Sequence, residues 1–424
     1  MGHEYLKETE RPSIEIDDEV TEAVTDILSA VRERGDDALH EFTRRFDDVE
    51  RDEIRITDAE REAAREAIAD DEREAIDKTI ENVRAFHEEQ HDHIEGFEKE
   101  FVPGVRMGQR VVPVDSAGVY IPGGRYPLVA APAMSIVPAV IAGVDRIVAC
   151  APPDETGSIQ PAQLYAMDAA GADEIYCVGG AQAIGAMAYG TESIDPVEQV
   201  GGPGNVFTTE AKRQVYGNVG IDFLAGPTEV LILADETADP ELLATDLLAQ
   251  AEHDTESRPV LITTDDAVAR ATMDEIDAQL PGLRTEDVAR ECWETNGEVI
   301  VADTMDEAVE LTNDYAMEHL QVMTADPRSL MDDLRNYGSL FLGAGSPVVF
   351  GDKAAGTNHS LPTLEISKYS GGIWVGTYLR VLTHQEATEE GAARLAEHAA
   401  AICEIEGTHA HQLSAEARLP DDEE

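Results

Sequence analysis

The 424-residue sequence is poor in cysteine and in basic residues, and it contains no long apolar run. The four cysteines, Cys150, Cys177, Cys292 and Cys403, lie far apart and form no CxxC pair. That spacing excludes a zinc site built of thiolates and points to buried, inert thiols. No apolar segment reaches the roughly 20 residues that a membrane span requires. The acidic start, Met-Gly-His-Glu-Tyr-Leu-Lys-Glu, lacks the apolar core of a secretion signal. The expectation is a soluble, cytoplasmic chain. Only 31 Lys and Arg stand against 87 Asp and Glu, a formal net charge of −56. Such a surface repels nucleic acid and anionic membranes, so neither is expected as a partner. The acids are spread along the whole chain, and lysine is scarce relative to arginine. This is the pattern of a halophilic surface, on which charge maintains solubility while molar salt, with a Debye length of about 3 Å, screens self-repulsion. The charge therefore describes an environment and leaves the chemistry open.

What the sequence does contain is an ordered alternation of apolar runs and polar turns, with 42% hydrophobic residues, in a chain long enough for two or more domains. Residues from about Asp17 to Phe101 read as helices, including a long amphipathic stretch from Thr57 to Glu98 that Pro103 and Gly104 bring to an end. From Val111 the rhythm is βαβ, which implies mostly parallel sheet. The expected fold is α/β, with two related Rossmann-like units, a helical N-terminal region and a C-terminal helical tail. The boundaries are set at 1–118 for the helical region, packing with the second α/β unit, and 119–229 for a first, NAD-binding unit. The second unit, 230–375, would carry zinc and catalytic residues, and the tail, 376–424, dimer contacts and completion of the site.

The chemistry concentrates in a few segments. The glycine-rich polar loop Gly351–Thr363 contains Asp352 and His359 between apolar flanks, and loops on a rigid scaffold are where catalytic groups gather. Gln250 and His253 are three residues apart on one expected helix and share a face. A histidine beside an oxygen donor suits zinc, with Asp352 as a possible carboxylate and a further histidine from elsewhere; a histidine at a helix end also serves as a plain dipole partner. Glu318-His319 stands between a capped helix and a strand, where a histidine can take a proton from an alcohol, although an EH pair is also common on an acidic surface. The turns Ile121–Gly124 and Gly201–Asn205 let backbone approach a phosphate or a ring. Neither completes the GxGxxG dinucleotide fingerprint. Glu406, His409 and His411 lie near the end of the chain and matter only if the tail docks over a site.

Taken in order, VYIPGG (119–124), GGAQAI (179–184), GGPGN followed by EAKRQVYG (201–217), AGPTEVLILAD (225–235), DLLAQAEHD (246–254), NDYAMEHL and GDKAAGTNHSLPT resemble the histidinol dehydrogenase family over nearly the whole chain. The resemblance implies oxidation of L-histidinol to L-histidine through bound L-histidinal, with two NAD⁺ and one zinc ion per subunit. It implies zinc ligands Gln250, His253, Asp352 and His411, which would also touch substrate. Glu318 and His319 would be the acid–base pair, Tyr120, Gln182 and Asn205 the NAD contacts. Thr228, His319, His359 and Glu406 would contact substrate, and a homodimer would bring each tail to its partner's site. Three positions depart from the family pattern: Met317 stands for proline, Thr228 for serine and Lys353 for an aromatic residue. The alternatives are a paralogous zinc- and NAD-dependent dehydrogenase of another small polyol or amino alcohol, a zinc hydrolase that needs no NAD, and a non-catalytic acidic interaction protein.

Overall fold

A computed structural model describes residues 2–11, 16–123 and 127–420. Gly124 of the expected turn and the end of the acidic tail lie outside the described residues. The chain opens with β1 (His3–Lys7), followed by helices α1 (Asp18–Arg34), α2 (Asp36–Asp47), α3 (Asp58–Ala67) and α4 (Asp70–Asp92). Strands β2 (Phe97–Val102), β3 (Val105–Pro113) and β4 (Ser116–Tyr120) come next. Alternation then sets in with α5 (Ala131–Ala142), β5 (Arg146–Ala151), α6 (Pro161–Ala170), β6 (Glu174–Cys177), α7 (Gly180–Tyr189), β7 (Gln199–Gly201), α8 (Val206–Val215) and β8 (Gly220–Ile221). It resumes with β9 (Glu229–Ala234), α9 (Pro240–Ala251), β10 (Arg258–Thr263), α10 (Asp266–Gln279), α11 (Glu286–Asn296), β11 (Glu298–Ala302), α12 (Met305–Tyr315), β12 (His319–Met323) and β13 (Ser339–Leu342). The short α13 (Val348–Phe350) leads into a π turn at Gly351–Ala355, and the chain closes with β14 (Leu379–Ala387), α14 (Glu389–Glu406) and α15 (His409–Glu416).

The protein is mixed α/β, as expected. One parallel sheet has the order β6-β5-β4-β7-β8. The other has the order β1-β11-β10-β9-β12-β13, parallel except for β1, which pairs antiparallel with β11. Counted from the first parallel strand of each, both run third, second, first, fourth, fifth, which is the doubly wound order 3-2-1-4-5-6 without its sixth strand. Strands β4, β9, β10 and β12 are buried along their entire length, because helices cover both faces of a parallel sheet.

The N-terminal helices follow from period and capping. In α1 the buried residues Val24, Ile27, Leu28 and Val31 fall at helical spacing, and the Asp17 carboxylate caps the Glu19 N–H at 2.7 Å. This face packs with α2 into a core that includes Tyr120, Tyr176, Ala183, Ile184 and Met187. Helices α1 and α2 thus pack with the first sheet, while β1 pairs with β11 of the second and α4 bonds to residues 353 and 354 of the second α/β unit. The boundary at 118/119 also cuts β4. The expected long helix from Thr57 is two: α3, with a reciprocal Thr57–Glu60 capping box, stops at Ile68, whose backbone is extended, and α4 starts at Asp70.

The chain divides into two compact units, residues 1–89 with 114–378, and residues 90–113 with 379–424. Within the second unit β14, β3 and β2 form an antiparallel sheet. Two segments expected to be helical or left unassigned, 97–102 and 379–387, are therefore strands. Pro103 and Gly104 make the turn between β2 and β3 and do not end a helix. Among the described residues of this unit only Val105, Gly108, Gly391 and Ala396 are buried, while Phe97, Phe101, Ile402 and Ile405 are exposed. No helix among the described residues is long and apolar enough to cross a membrane. Cys150, Cys177 and Cys292 are buried and Cys403 is partly so, all as free thiols; burial pushes Cys177 and Cys292 up to about 12.

Candidate active site

Helix α9 opens on the Asp239 cap with Pro240 in its first turn. Its C-terminal end presents Gln250, and the helix stops at Ala251, so His253 stands just past the end and not on the helix as expected. The His253 N–H reaches back to the Gln250 carbonyl at 3.3 Å. Asp352 comes from the π turn, a form that often marks functional positions. The turn is held by α4: the Thr79 hydroxyl donates to the Lys353 carbonyl and the Asn82 amide to the Ala354 carbonyl, both at 2.7 Å. Gln250, His253, Asp352 and Lys353 face one cavity of about 360 Å³, whose far wall is Leu128–Ala130, the segment between β4 and α5.

Glu318 and His319 sit where α12 gives way to β12. Ala316 ends the helix in the left-handed region, φ 49°. Both side chains are buried, at 5% and 3% exposure. The Glu229 N–H donates to the Glu318 carboxylate at 2.9 Å, and His319 Nδ1 lies 3.0 Å from the Glu229 carbonyl. A carbonyl only accepts, so Nδ1 carries the hydrogen and Nε2 is turned to Asp352 Oδ1, 3.3 Å away. Neither Nε2 nor that oxygen completes a hydrogen bond within the protein. Burial opposes charge on the ring, but the Glu318 carboxylate, and then Asp352, outweigh it and hold His319 well above the ordinary histidine value. Burial likewise opposes ionisation of Asp352, and His319 more than offsets it, so Asp352 is depressed. His253 and His359 are lowered mainly by burial, against the pull of Asp352. His359 reaches the cluster by donating from Nδ1 to the Asp352 carbonyl at 2.8 Å.

The donor set fits a zinc ion. Gln250 is 3% exposed, and Asp352 Oδ1 is a buried acceptor that finds no partner; a buried acceptor without a donor carries a cost that a cation can remove. His253 is held neutral, the form that ligates. Among the described residues no three His, Cys, Asp or Glu side chains group as a metal cage; this trio supplies two, with the Gln250 amide as the third donor. His411 and Glu406 belong to the second unit, exposed on α15 and at the end of α14.

The residues expected at NAD gather at the carboxyl ends of the first sheet. Tyr120 ends β4, its hydroxyl accepts the Gly180 N–H at 3.2 Å, and burial pushes it up to about 12. Gln182, in the first turn of α7, is 2% exposed, and its Oε1 has no partner. Asn205 caps α8, taking the Phe207 and Thr208 N–H groups at 3.1 Å, so its carbonyl oxygen is already committed and its amide nitrogen is the free end. The preceding turn is rigid. Gly202 has φ 108°, a Cβ there would strike the Tyr120 backbone, and its N–H donates to Asp222. Buried Lys212 donates to Asp222, the Gly202 carbonyl and the Phe223 carbonyl at 2.7, 3.0 and 2.8 Å. Thr228 directly precedes Glu229, and its carbonyl receives the Arg258 N–H.

Comparison with known proteins decides the family. The sequence model described as histidinol dehydrogenase matches residues 9–419. The chain belongs to the histidinol dehydrogenase family. It is 45% identical over 406 residues to a histidinol dehydrogenase of Halobacterium salinarum, covering 96% of this chain and 94% of that one. It is also 45% identical over 419 residues to a "histidinol dehydrogenase homolog" of Shouchella clausii, with 98% of each chain covered. A crystal structure of histidinol dehydrogenase from Elizabethkingia anophelis superposes with a TM-score of 0.91 at 35% identity, covering 96% of this chain and 94% of that one. The chain is thus a member of an oxidoreductase family. Reading the sequence overlooked Glu229 and Leu128–Ala130. The signal for Glu229 was present, a carboxylate opening the apolar strand EVLILA; the wall at Leu128–Ala130 left no chemical mark.

Proposed function

We propose that this protein oxidises L-histidinol to L-histidine through bound L-histidinal, with two NAD⁺ in succession, in the cytoplasm of a salt-adapted cell. The observation that carries the reading is the cavity lined by Gln250, His253 and Asp352, with the buried Glu318–His319 pair beside it, His319 Nε2 lying 3.3 Å from Asp352 Oδ1. Gln250, His253 and Asp352, with His411 from the tail of a partner subunit, would hold zinc. The ion would fix the amino and imidazole nitrogens of the substrate, while NAD⁺ supplies the hydride acceptor. Thr228, His359 and the partner's tail residue Glu406 would complete substrate binding, and Tyr120, Gln182 and Asn205 would seat NAD. His319, its Nδ1–H held by the Glu229 carbonyl, would present Nε2 to take the hydroxyl proton. Glu318, anchored by the Glu229 N–H, would activate the water that hydrates the aldehyde. One enclosed site for both steps keeps that aldehyde from escaping. A homodimer is supported by the second unit: an antiparallel sheet and two helices that bury four residues and expose Phe97, Phe101, Ile402 and Ile405 lack the core to stand without a covering surface.

One observation favours a second reading. Lys353 Nζ lies 4.0 Å from Asp352 in the cavity wall, and an ammonium group there disfavours a cationic amino alcohol and suits a neutral or anionic one. The test is the NADH formed per L-histidinol consumed, in molar salt with zinc. Two NADH with histidine as product establish the first reading. No NADH from folded, zinc-loaded protein overturns it and selects the paralogous alcohol dehydrogenase, to be screened with small polyols. In the same preparation His253→Ala should lose stoichiometric zinc by metal analysis, and retained zinc removes His253 from the ligand set.

A further inference from the structure

Glu229 is an acidic residue at the start of a fully buried strand, itself 2% exposed. It meets the Glu318–His319 segment through every polar group it owns. Its N–H donates to the Glu318 carboxylate at 2.9 Å and its carbonyl accepts from His319 Nδ1 at 3.0 Å. Its side chain accepts the Leu364 N–H at 3.3 Å and lies in reach of the Glu318 N–H. The Glu229 N–H thus bonds the Glu318 carboxylate, and the Glu229 carboxyl group lies near the Glu318 amide. The Leu364 contact ties in a second element. Leu364 and Glu365 occupy the left-handed region at φ 54° and 63°, a strained conformation that non-glycine residues keep only where neighbours hold them. The restraints are the Glu229 side chain and, one residue earlier, the Thr363 hydroxyl, which takes the Gly226 N–H at 2.6 Å. That strained turn follows His359 and Ser360 on the same loop.

We infer that Glu229 is a positioning residue, a clasp whose length sets the Glu318–His319 pair and ties the strained Leu364–Glu365 turn to it. The inference rests on the reading of Glu318 and His319 as the acid–base pair. It makes reach, not acidity, the property that matters. Glu229→Asp keeps a carboxyl group and withdraws it by one methylene; Glu229→Gln keeps the reach and an acceptor oxygen and discards the titratable proton.

The experiment compares the two variants with the wild type in two measurements. Hydrogen exchange by mass spectrometry, which needs no substrate, should show faster exchange in Glu229→Asp confined to peptides covering 318–320 and 360–368, with Glu229→Gln much closer to wild type. In turnover, Glu229→Asp should lose about 10–100-fold in kcat with KM for NAD⁺ and zinc content retained, and Glu229→Gln should recover most of that loss. The reverse order, with Glu229→Asp the better enzyme, would show that the acid group itself acts and overturns the clasp. Equal damage with exchange raised throughout the chain shows a general structural role and overturns it too, as do two variants indistinguishable from wild type. If the wild type oxidises no histidinol, the functional reading fails while the exchange result still decides the clasp.

Discussion

The two parallel sheets have the same strand order but use opposite edges. In the first, Tyr120, Gly179–Gly180 and Gly201–Asn205 all follow the carboxyl ends of β4, β6 and β7, the usual place for a ligand in an open α/β sheet. In the second, Glu229 and His319 open their strands and Gln250 and His253 stand at the far end of α9, so the chemistry lies at the amino edge. The cavity joins the two, with Leu128–Ala130 beyond β4 on one side and Gln250, His253 and Asp352 on the other. The residues differ in kind as well. The first edge offers backbone amides and neutral side chains, suited to hold a cofactor; the second offers imidazoles and carboxylates, suited to move protons. Topology alone specifies neither, which is why function must be argued from the site.

Changes at the second sheet's edge should damage chemistry, and changes at the first should damage cofactor binding or stability. The largest effect is expected from His319→Asn, which should lower kcat by about 10²–10⁴-fold while NAD⁺ affinity, read by fluorescence titration, stays near wild type. Near-normal turnover would remove His319 from the acid–base role. Next is Lys212→Met. The ammonium and Asp222 are buried partners, at 2% and 0% side-chain exposure, and stripping one leaves the other uncompensated at a cost of about 3–5 kcal/mol. Chemical denaturation should show this loss; an unchanged midpoint would mean that the pair does not hold the glycine-rich turn.

A smaller effect is expected from Gly180→Ala. Its φ of 64° is left-handed, and a Cβ would come within 2.6 Å of Gln182 Oε1, so about 1–2 kcal/mol of strain is expected. KM for NAD⁺ should rise with kcat little changed; a fall in kcat alone would blur the division between the edges. A pH effect stands apart from these substitutions. Burial first, and the Glu318 carboxylate against the pull of Arg258, push Glu229 from 4.5 up to about 8. The folded protein therefore keeps a proton that the unfolded chain has lost. The associated stability is complete below about pH 4.5 and is lost as pH rises through 8, with a slope of at most about 1.4 kcal/mol per pH unit. Melting temperature should fall less steeply between pH 5 and 8 in Glu229→Gln than in the wild type. Parallel curves would show that Glu229 is ionised throughout that range.

Much of this was legible before the structure. Val24, Ile27, Leu28 and Val31, the Asp239-Pro240 start of α9 and the Thr304–Glu307 cap are local signals, and each element formed where its signal lay. The unread strands are of another kind. Residues 97–102 and 379–387 are mostly exposed along their length, so no burial face prints a period into the sequence, and they are strands because both pair with β3. The break between α3 and α4 also escaped, since the charged residues on both sides favour helix and only the extended Ile68 divides them.

The sequence by itself determined the acidic surface, the helix starts, the buried strands and, through its motifs, the family. Those properties depend on residues near one another in the chain, or on their sum. Tertiary structure alone decided that His319 Nε2 faces Asp352, that the cavity spans the edges of two sheets, and that Glu229 clasps both Glu318 and the Leu364 turn. The reason is physical: a hydrogen bond between residues 90 or 135 positions apart leaves no periodicity, and its geometry exists only after the sheet has set which strand lies beside which.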